Sequence, residues 1–179
     1  MRTLYTQRLI LRPFEMEDLE DFYDYAKNPN VGPLAGWDAH TDKVQTAKAL
    51  IRFIEGDEVL AIVERDSKKV IGSIGLHNRY NIKNNRVKSL GYVLREDRWG
   101  KGYMTEAAKE VVRYGFCELN AEMISVGHFD FNARSKRVIE KLGFIFEGHM
   151  RNFYEYKDEL YGESFYSLTK EEYLKLQDK

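Results

Sequence analysis

The sequence predicts a mixed α/β (α+β) fold: a mostly antiparallel sheet with one parallel strand pair in its middle. Three observations carry that prediction. β-rich runs follow one another through short turn-like segments over residues 58–96, and again over 144–169. One strand-helix-strand unit, "SLGYVLRE" to "EMISVGHF", interrupts them, and a crossover of that length joins parallel neighbours. Its helix is the clearest in the chain, because Met104, Ala107, Ala108, Val111, Val112, Gly115 and Leu119 recur at steps of three and four.

The other elements follow in order. "RLILRPF" reads as a strand stopped near Pro13, and "EMEDLEDFYDYAKN" sets Leu19, Phe22, Tyr23 and Ala26 at helical spacing. "PNVGPLAGWDAHTD" holds two of the three prolines and is expected to be a loop of about a dozen residues, a length that marks function in a compact domain. That singles out Trp37 and His40. Thr41 and Asp42 open a second helix, expected to bury Val44, Ala47, Ile51 and Ile54, with Gly56-Asp57 closing it. "EVLAIVER" and "KVIGSIGLHN" are strands about the turn "DSKK", and "VKSLGYVLRE" follows the turn-rich "NIKNN". Beyond the long helix, "AEMISVGHF" is a strand and "NARSKRVIEKLG" a helix ending at Gly143. "FIFEGHMRNFY" and "LYGESFYSLT" form a hairpin joined through "EYKDE", and Thr169 with Glu172 caps a short last helix.

A chain of 179 residues, 43% hydrophobic and free of linkers or repeats, is expected to be one domain over 1–179. Its 28 basic and 29 acidic side chains are mixed along the chain, which argues against a nucleic-acid stripe or a membrane-seeking face. The partner expected is a small molecule or a local site on a protein. The single cysteine, Cys117, excludes an internal disulfide and fits a reducing compartment; late in the long helix, it is expected to pack rather than react. No stretch has signal-peptide character or membrane-spanning length, so a soluble, cytoplasmic protein is expected. The four histidines lack metal-ligand spacing, so no metal is expected.

"RWGKGYMTEA" places Gly100 and Gly102 between a strand and the long helix. The first amide N–H groups of a helix have no intrahelical partner, and glycines there let an anion approach the backbone. The same pair also fits a plain tight turn. Two phosphate motifs are excluded: no Gly-Lys-Ser/Thr follows as in a P-loop, and Thr105 stands where a dinucleotide fingerprint needs glycine.

Jointly, "TQRLILRPFEMEDLEDF", "WGKGYMTEA", "NARSKRVIEKLGFIFEG" and "YSLTKEEY" resemble the GNAT acyltransferases, and within them the RimJ/RimL-like branch, over nearly the whole chain. The resemblance implies a twisted sheet with helices on both faces and a splayed parallel pair holding acetyl-CoA. It implies that the backbone of Val93 and Leu94 lies along the pantetheine arm, that Trp99, Gly100, Lys101, Gly102, Tyr103, Met104 and Thr105 form the pyrophosphate loop, and that Asn132 and Ser135 bind the arm's far end. Trp99 and Met104 depart from the broader superfamily, which has Gln or Arg and Gly or Ala there. The tyrosine many members use as acid is replaced by Ile139, which leaves Ser135 as the candidate acid; the branch's glutamate before "GY" is replaced by Ser89. Candidate bases are His77, put first, with His128 and His40, each an imidazole that titrates near neutrality, or a water chain to solvent; Trp37, His40, Tyr92 and His128 are candidate acceptor-side residues. The activity implied is direct acetyl transfer to a primary amine, a protein N-terminus among the candidates, by a monomer or homodimer. The alternative is an acetyl-CoA-binding sensor that has lost turnover.

Overall fold

The computed structural model describes residues 1–78 and 86–177. The turn expected at 81–85 lies outside them. Among the described residues the fold is mixed α/β, with five α-helices and an eight-stranded, mostly antiparallel sheet in the order β1-β2-β3-β4-β5-β6-β8-β7. The chain divides into two compact units, Met1–His77 with Gly91–Val111, and Asn78–Leu90 with Val112–Lys179.

In the first unit β2 (Leu9–Pro13) runs antiparallel to both β1 (Leu4–Tyr5) and β3 (Val59–Glu64), and β3 runs antiparallel to β4 (Val70–Asn78). β3 is buried along its whole length, the pattern of a strand covered on both faces, and this puts the carboxylate of Glu64 at the end of an apolar run. α1 (Leu19–Ala26) and α2 (Lys43–Gly56) supply an aromatic core, in which Phe22 stacks on Phe53 at 5.5 Å and Phe14 meets Phe53 at 5.4 Å. Asp42 caps α2 as expected, accepting from the Gln45 N–H at 2.7 Å. The face of α2 differs from expectation. Thr46, Ala49 and Leu50 are buried while Val44, Ile51 and Ile54 are exposed. Helical spacing serves either stripe, and burying Thr46 is possible because its hydroxyl donates to Asp42 O and meets His40 Nδ1 at 2.8 Å. The long loop contains one tight helical turn, Gly32–Ala35.

β5 (Val87–Leu94) contributes its first four residues to the second unit and its last four to the first. Val87↔Met123 to Ser89↔Ser125 pair in parallel with β6 (Met123–Phe129), the parallel pair expected from the crossover. β6 then runs antiparallel to β8 (Glu159–Thr169), and β8 to β7 (Ile145–Tyr156). The hairpin strands are longer than expected, so the turn is only Lys157 and Asp158, with φ 52° and 62°. Positive φ at both central residues makes a tight two-residue turn whose twist suits the strands.

α3 (Tyr103–Cys117) belongs to the first unit through Val111 and to the second from Val112. Cys117 is exposed, not packed; its neighbour Phe116 is the buried residue, stacked on Tyr173 of α5 (Lys170–Gln177) at 4.8 Å. α5 starts on the expected reciprocal cap, Thr169 N–H to Glu172 Oε2 at 2.8 Å and Glu172 N–H to Thr169 Oγ1 at 3.3 Å. α4 (Ala133–Lys141) buries Ile139 and ends before Gly143, whose φ of 79° only glycine adopts readily.

Candidate functional site

In the first unit, Gly100 and Gly102 hold φ of 75° and 79°, a left-handed backbone that costs other residues about 1–2 kcal/mol. The chain turns there from β5 through a short 3-10 segment, Glu96–Arg98, into α3. Among the described residues, the N–H groups of Gly100, Lys101, Gly102, Tyr103, Met104 and Thr105 have no acceptor in the protein, and the first bonded amide of the helix is Glu106 N–H to Gly102 O at 3.0 Å. Six consecutive free donors leading into a fifteen-residue helix, entered through two left-handed glycines, make an arrangement of the kind that suits an anion.

The residues around this loop fix it without filling the cradle. Trp99 turns inward: its Nε1 donates to Leu94 O at 2.7 Å and its ring packs on the aromatic core. Glu64 accepts from Arg98 Nε and Nη2, both at 3.1 Å, from Tyr103 Oη at 2.8 Å and from Ser67 Oγ at 2.6 Å. The Arg98 bonds, then that of Ser67, outweigh burial and hold the Glu64 carboxyl down at about 2. A second carboxylate, Glu106, accepts from Thr6 Oγ1 at 2.6 Å, Arg8 N–H at 2.8 Å and Arg8 Nε at 2.7 Å. Burial pushes the Glu106 carboxyl up, but these donors more than offset it and leave it below its usual range. Arg8 also donates to Lys101 O at 3.0 Å and lies over the Tyr103 ring at 4.3 Å.

Glu64, Glu106, Arg8 and Thr6 were missed by sequence reasoning. Only the Arg8–Glu106 pairing had any local trace, an acid in the first turn of a helix; nothing in the sequence joins Glu64 to a loop 34 residues away.

Of the other predicted residues in this unit, Val93, Leu94 and Tyr92 lie on β5, beyond the last parallel pair at Ser89. The Trp37 and His40 rings meet at 5.1 Å, tilted by 48°, and burial lowers the His40 pKa. His77, at the end of β4, is half-exposed, with Nδ1 3.3 Å from Glu58 Oε2; it lies against Gly91, where a Cβ would stand 3.2 Å from its Nε2. A surface cavity of about 430 Å³ on α1, lined by Glu20, Asp24, Lys27 and Lys43 among others, contains none of the predicted residues, and its charges pair with one another, as in Lys43–Glu20 at 2.7 Å.

In the second unit, Asn132 caps α4, its Oδ1 accepting from Ser135 N–H at 3.0 Å. Ser135 is buried. His128 is buried too, with Nδ1 3.0 Å from Phe129 O and Nε2 3.3 Å from Tyr166 Oη. Glu163, which the sequence did not single out, is half-buried, has no hydrogen-bond partner among the described residues, and lies over Gly127, where a side chain would collide with its carboxylate. Burial pushes its carboxyl up. Among the described residues no group of three or more His, Cys, Asp or Glu is placed to hold a metal, and no helix is long and apolar enough to cross a membrane.

Comparison with known proteins adds to this geometry. The family model "Acetyltransferase (GNAT) domain" matches residues 8–145. The "Uncharacterized N-acetyltransferase p20" of Bacillus licheniformis is 34% identical over 179 residues, covering 97% of this chain and 99% of its own. The crystal structure of an acetyltransferase (GNAT family) from Bacillus anthracis superposes with a TM-score of 0.86 at 24% identity, over 94% of this chain and 99% of that one. The ribosomal-protein-S5-alanine acetyltransferase of Vibrio fischeri does so with a TM-score of 0.82 at 18% identity, over 97% of this chain and 99% of that one. At these identities the two structures speak for the fold alone.

Proposed function

The chain belongs to the acetyltransferase (GNAT) family, an assignment that rests on the domain match and the full-length relative, and from that premise we propose that it moves the acetyl group of acetyl-CoA directly onto a primary amine. The observation that carries the reading is the row of free N–H groups from Gly100 to Thr105. These suit the diphosphate of CoA, whose charge they meet through backbone alone, so the departures at Trp99 and Met104 do not disturb the fit.

Acetyl-CoA supplies a thioester; a carbon–nitrogen bond forms to the amine as the carbon–sulfur bond breaks. The chain's part is to hold and to manage protons. Val93 and Leu94 are assigned to present backbone to the pantetheine arm, and Asn132 is assigned to bind that arm. Ser135 gives a proton to the departing thiolate and takes in return the second proton that the nitrogen sheds as the amide forms. The amine arrives as an ammonium and must lose a proton before it attacks; His77 takes it, its Nδ1 lying 3.3 Å from Glu58 Oε2, which orients the ring. Glu163 is the rival for that role, a carboxylate kept basic by burial and bound to nothing else among the described residues. Comparing His77→Gln with Glu163→Gln decides between them: replacing the true base lowers the rate and removes the acidic-side fall of rate with pH. Trp37, His40, Tyr92 and His128 are assigned to the acceptor side.

For the acceptor we favour a protein or peptide N-terminus and the RimJ/RimL-like branch, supported by the "Putative ribosomal N-acetyltransferase YdaF" of Bacillus subtilis, 31% identical over 102 residues, which cover 57% of this chain and 55% of its own. A cytoplasmic setting follows from such an acceptor. The test is to mix the protein with acetyl-CoA and a panel of peptides, polyamines and amino sugars, and to follow free thiol. Failure of every amine together with failure to bind CoA overturns the proposal. The sensor reading is favoured by one observation: Ile139, where many members carry a tyrosine, is fully buried and offers no hydroxyl. Tight CoA binding by calorimetry without thiol release would support it.

A further inference from the structure

We propose that Glu64 is a positioning residue for the phosphate loop: its single carboxylate ties Arg98, ahead of the glycine pair, to Tyr103, behind it, and so holds the loop's N–H groups in a binding arrangement before any ligand arrives. The inference rests on the CoA-binding reading above and adds to it the device that preorganises the site.

Gly100 and Gly102 are needed for their positive φ, yet glycine explores more backbone conformations than any other residue, and neither has packing to restrain it. A Cβ at Gly100 would meet nothing within 4 Å, and one at Gly102 only Arg8 Nη2 at 3.5 Å. A loop of free donors with two flexible joints would lose its arrangement unless its flanks were fixed. Glu64 fixes them. It sits at the end of the wholly buried β3 and is itself only 8% exposed, so its position is set by the core. Arg98 reaches it with two N–H groups and Tyr103 with its hydroxyl, from either side of Trp99–Gly102. Ser67 satisfies a further lone pair and holds the carboxylate's orientation.

The charges point the same way. Arg98 faces Glu64 and Asp97, the latter at 2.7 Å, and Arg8 faces Glu106. Both guanidiniums are thus already paired, and the cation that remains within the row of amides is the exposed Lys101. Arg98 therefore serves as a strut, not as a phosphate ligand.

The experiment uses the full chain. Backbone order parameters of Gly100–Gly102 are measured without ligand, and CoA affinity by calorimetry, in wild type, Glu64→Gln, Tyr103→Phe and the double variant. Glu64→Gln is expected to lower the loop's order parameters from the rigid range near 0.85 and to raise the Kd for CoA about tenfold or more. The KM for acetyl-CoA rises with it, while that for the amine stays within twofold. Tyr103→Phe raises the Kd about threefold, and the double variant is no worse than Glu64→Gln, because both act through one carboxylate. If Glu64→Gln does not fold, Tyr103→Phe, which removes one hydroxyl, carries the test: an unchanged Kd overturns the inference. Wild-type CoA affinity and loop order in Glu64→Gln overturn it as well. A wild-type protein that binds no CoA overturns the functional reading, and this inference with it.

Discussion

Replacing Gly102 by alanine separates a phosphate cradle from a mere turn. The new methyl meets no steric obstacle, since Arg8 Nη2 at 3.5 Å is an ordinary contact, so the cost in the free protein is that of holding alanine at φ 79°, about 1–2 kcal/mol. Ligand binding suffers separately. A phosphate must come close enough to accept from the Gly102 N–H and its neighbours, and a Cβ on this surface keeps it away. Losing one hydrogen bond to a charged group removes about 1.5–3 kcal/mol, which is roughly a 10- to 150-fold rise in Kd. Urea unfolding measures the first quantity and CoA calorimetry the second. Gly56→Ala is the control: Gly56 lies within α2 with nothing within 4 Å of a new Cβ, and alanine there is expected to add about 0.5–1 kcal/mol of stability with CoA affinity unchanged. If Gly102→Ala loses stability but binds CoA as wild type does, the glycines serve turn geometry only, and the cradle argument is wrong.

Three further outcomes are expected. The Glu64 carboxyl is held at about 2 against an ordinary 4.5, so its contribution, at most about 3 kcal/mol for a shift of that size, is complete above pH 4.5 and lost as pH falls toward 2. Acid unfolding of Glu64→Gln, followed by circular dichroism, should lack that component. Asn132→Ala removes the α4 cap and should cost about 1 kcal/mol in urea unfolding, whereas Ser135→Ala keeps the capping bond, which uses the Ser135 backbone N–H, and should lower thiol release about 100-fold. Lys157→Asn with Asp158→Gly, suited to two successive positive φ angles, should raise the unfolding midpoint; a lower midpoint would mean the side chains and not the dihedrals set this turn.

What the sequence disclosed is what local spacing determines. The α3 stripe, the Asp42 and Thr169 caps, the parallel crossover and the glycine pair are all written within a few residues of one another, and each appears where expected. The errors share a cause. On α2 two stripes had helical spacing, and the choice of Thr46, Ala49 and Leu50 over Val44, Ile51 and Ile54 was made by a hydroxyl that finds His40 and Asp42, a tertiary fact. Cys117 looked apolar enough to pack, yet Phe116 took the buried position beside Tyr173. In the hairpin, polar residues near the turn hid strand that pairs as far as Tyr156↔Glu159.

The loop's chemistry divides along the same line. Glycine spacing reports that bare backbone is wanted, and this is visible locally. What keeps that backbone in place comes from β2 and β3, where Arg8 and Glu64 happen to be antiparallel neighbours' ends: Leu9 pairs with Glu64, so the residue before one partner and the other partner itself both face the loop that leads into α3. No window of sequence contains that register. On the proposed reading the amides, not these two arginines, are the ligands, because Arg8 is already paired with Glu106 of α3 at 2.7 Å and Arg98 with Glu64 of β3 at 3.1 Å. A count that scores Arg8 and Arg98 as part of a free basic patch overlooks both carboxylates, and the reading then rests on the row of backbone N–H groups for choosing a diphosphate.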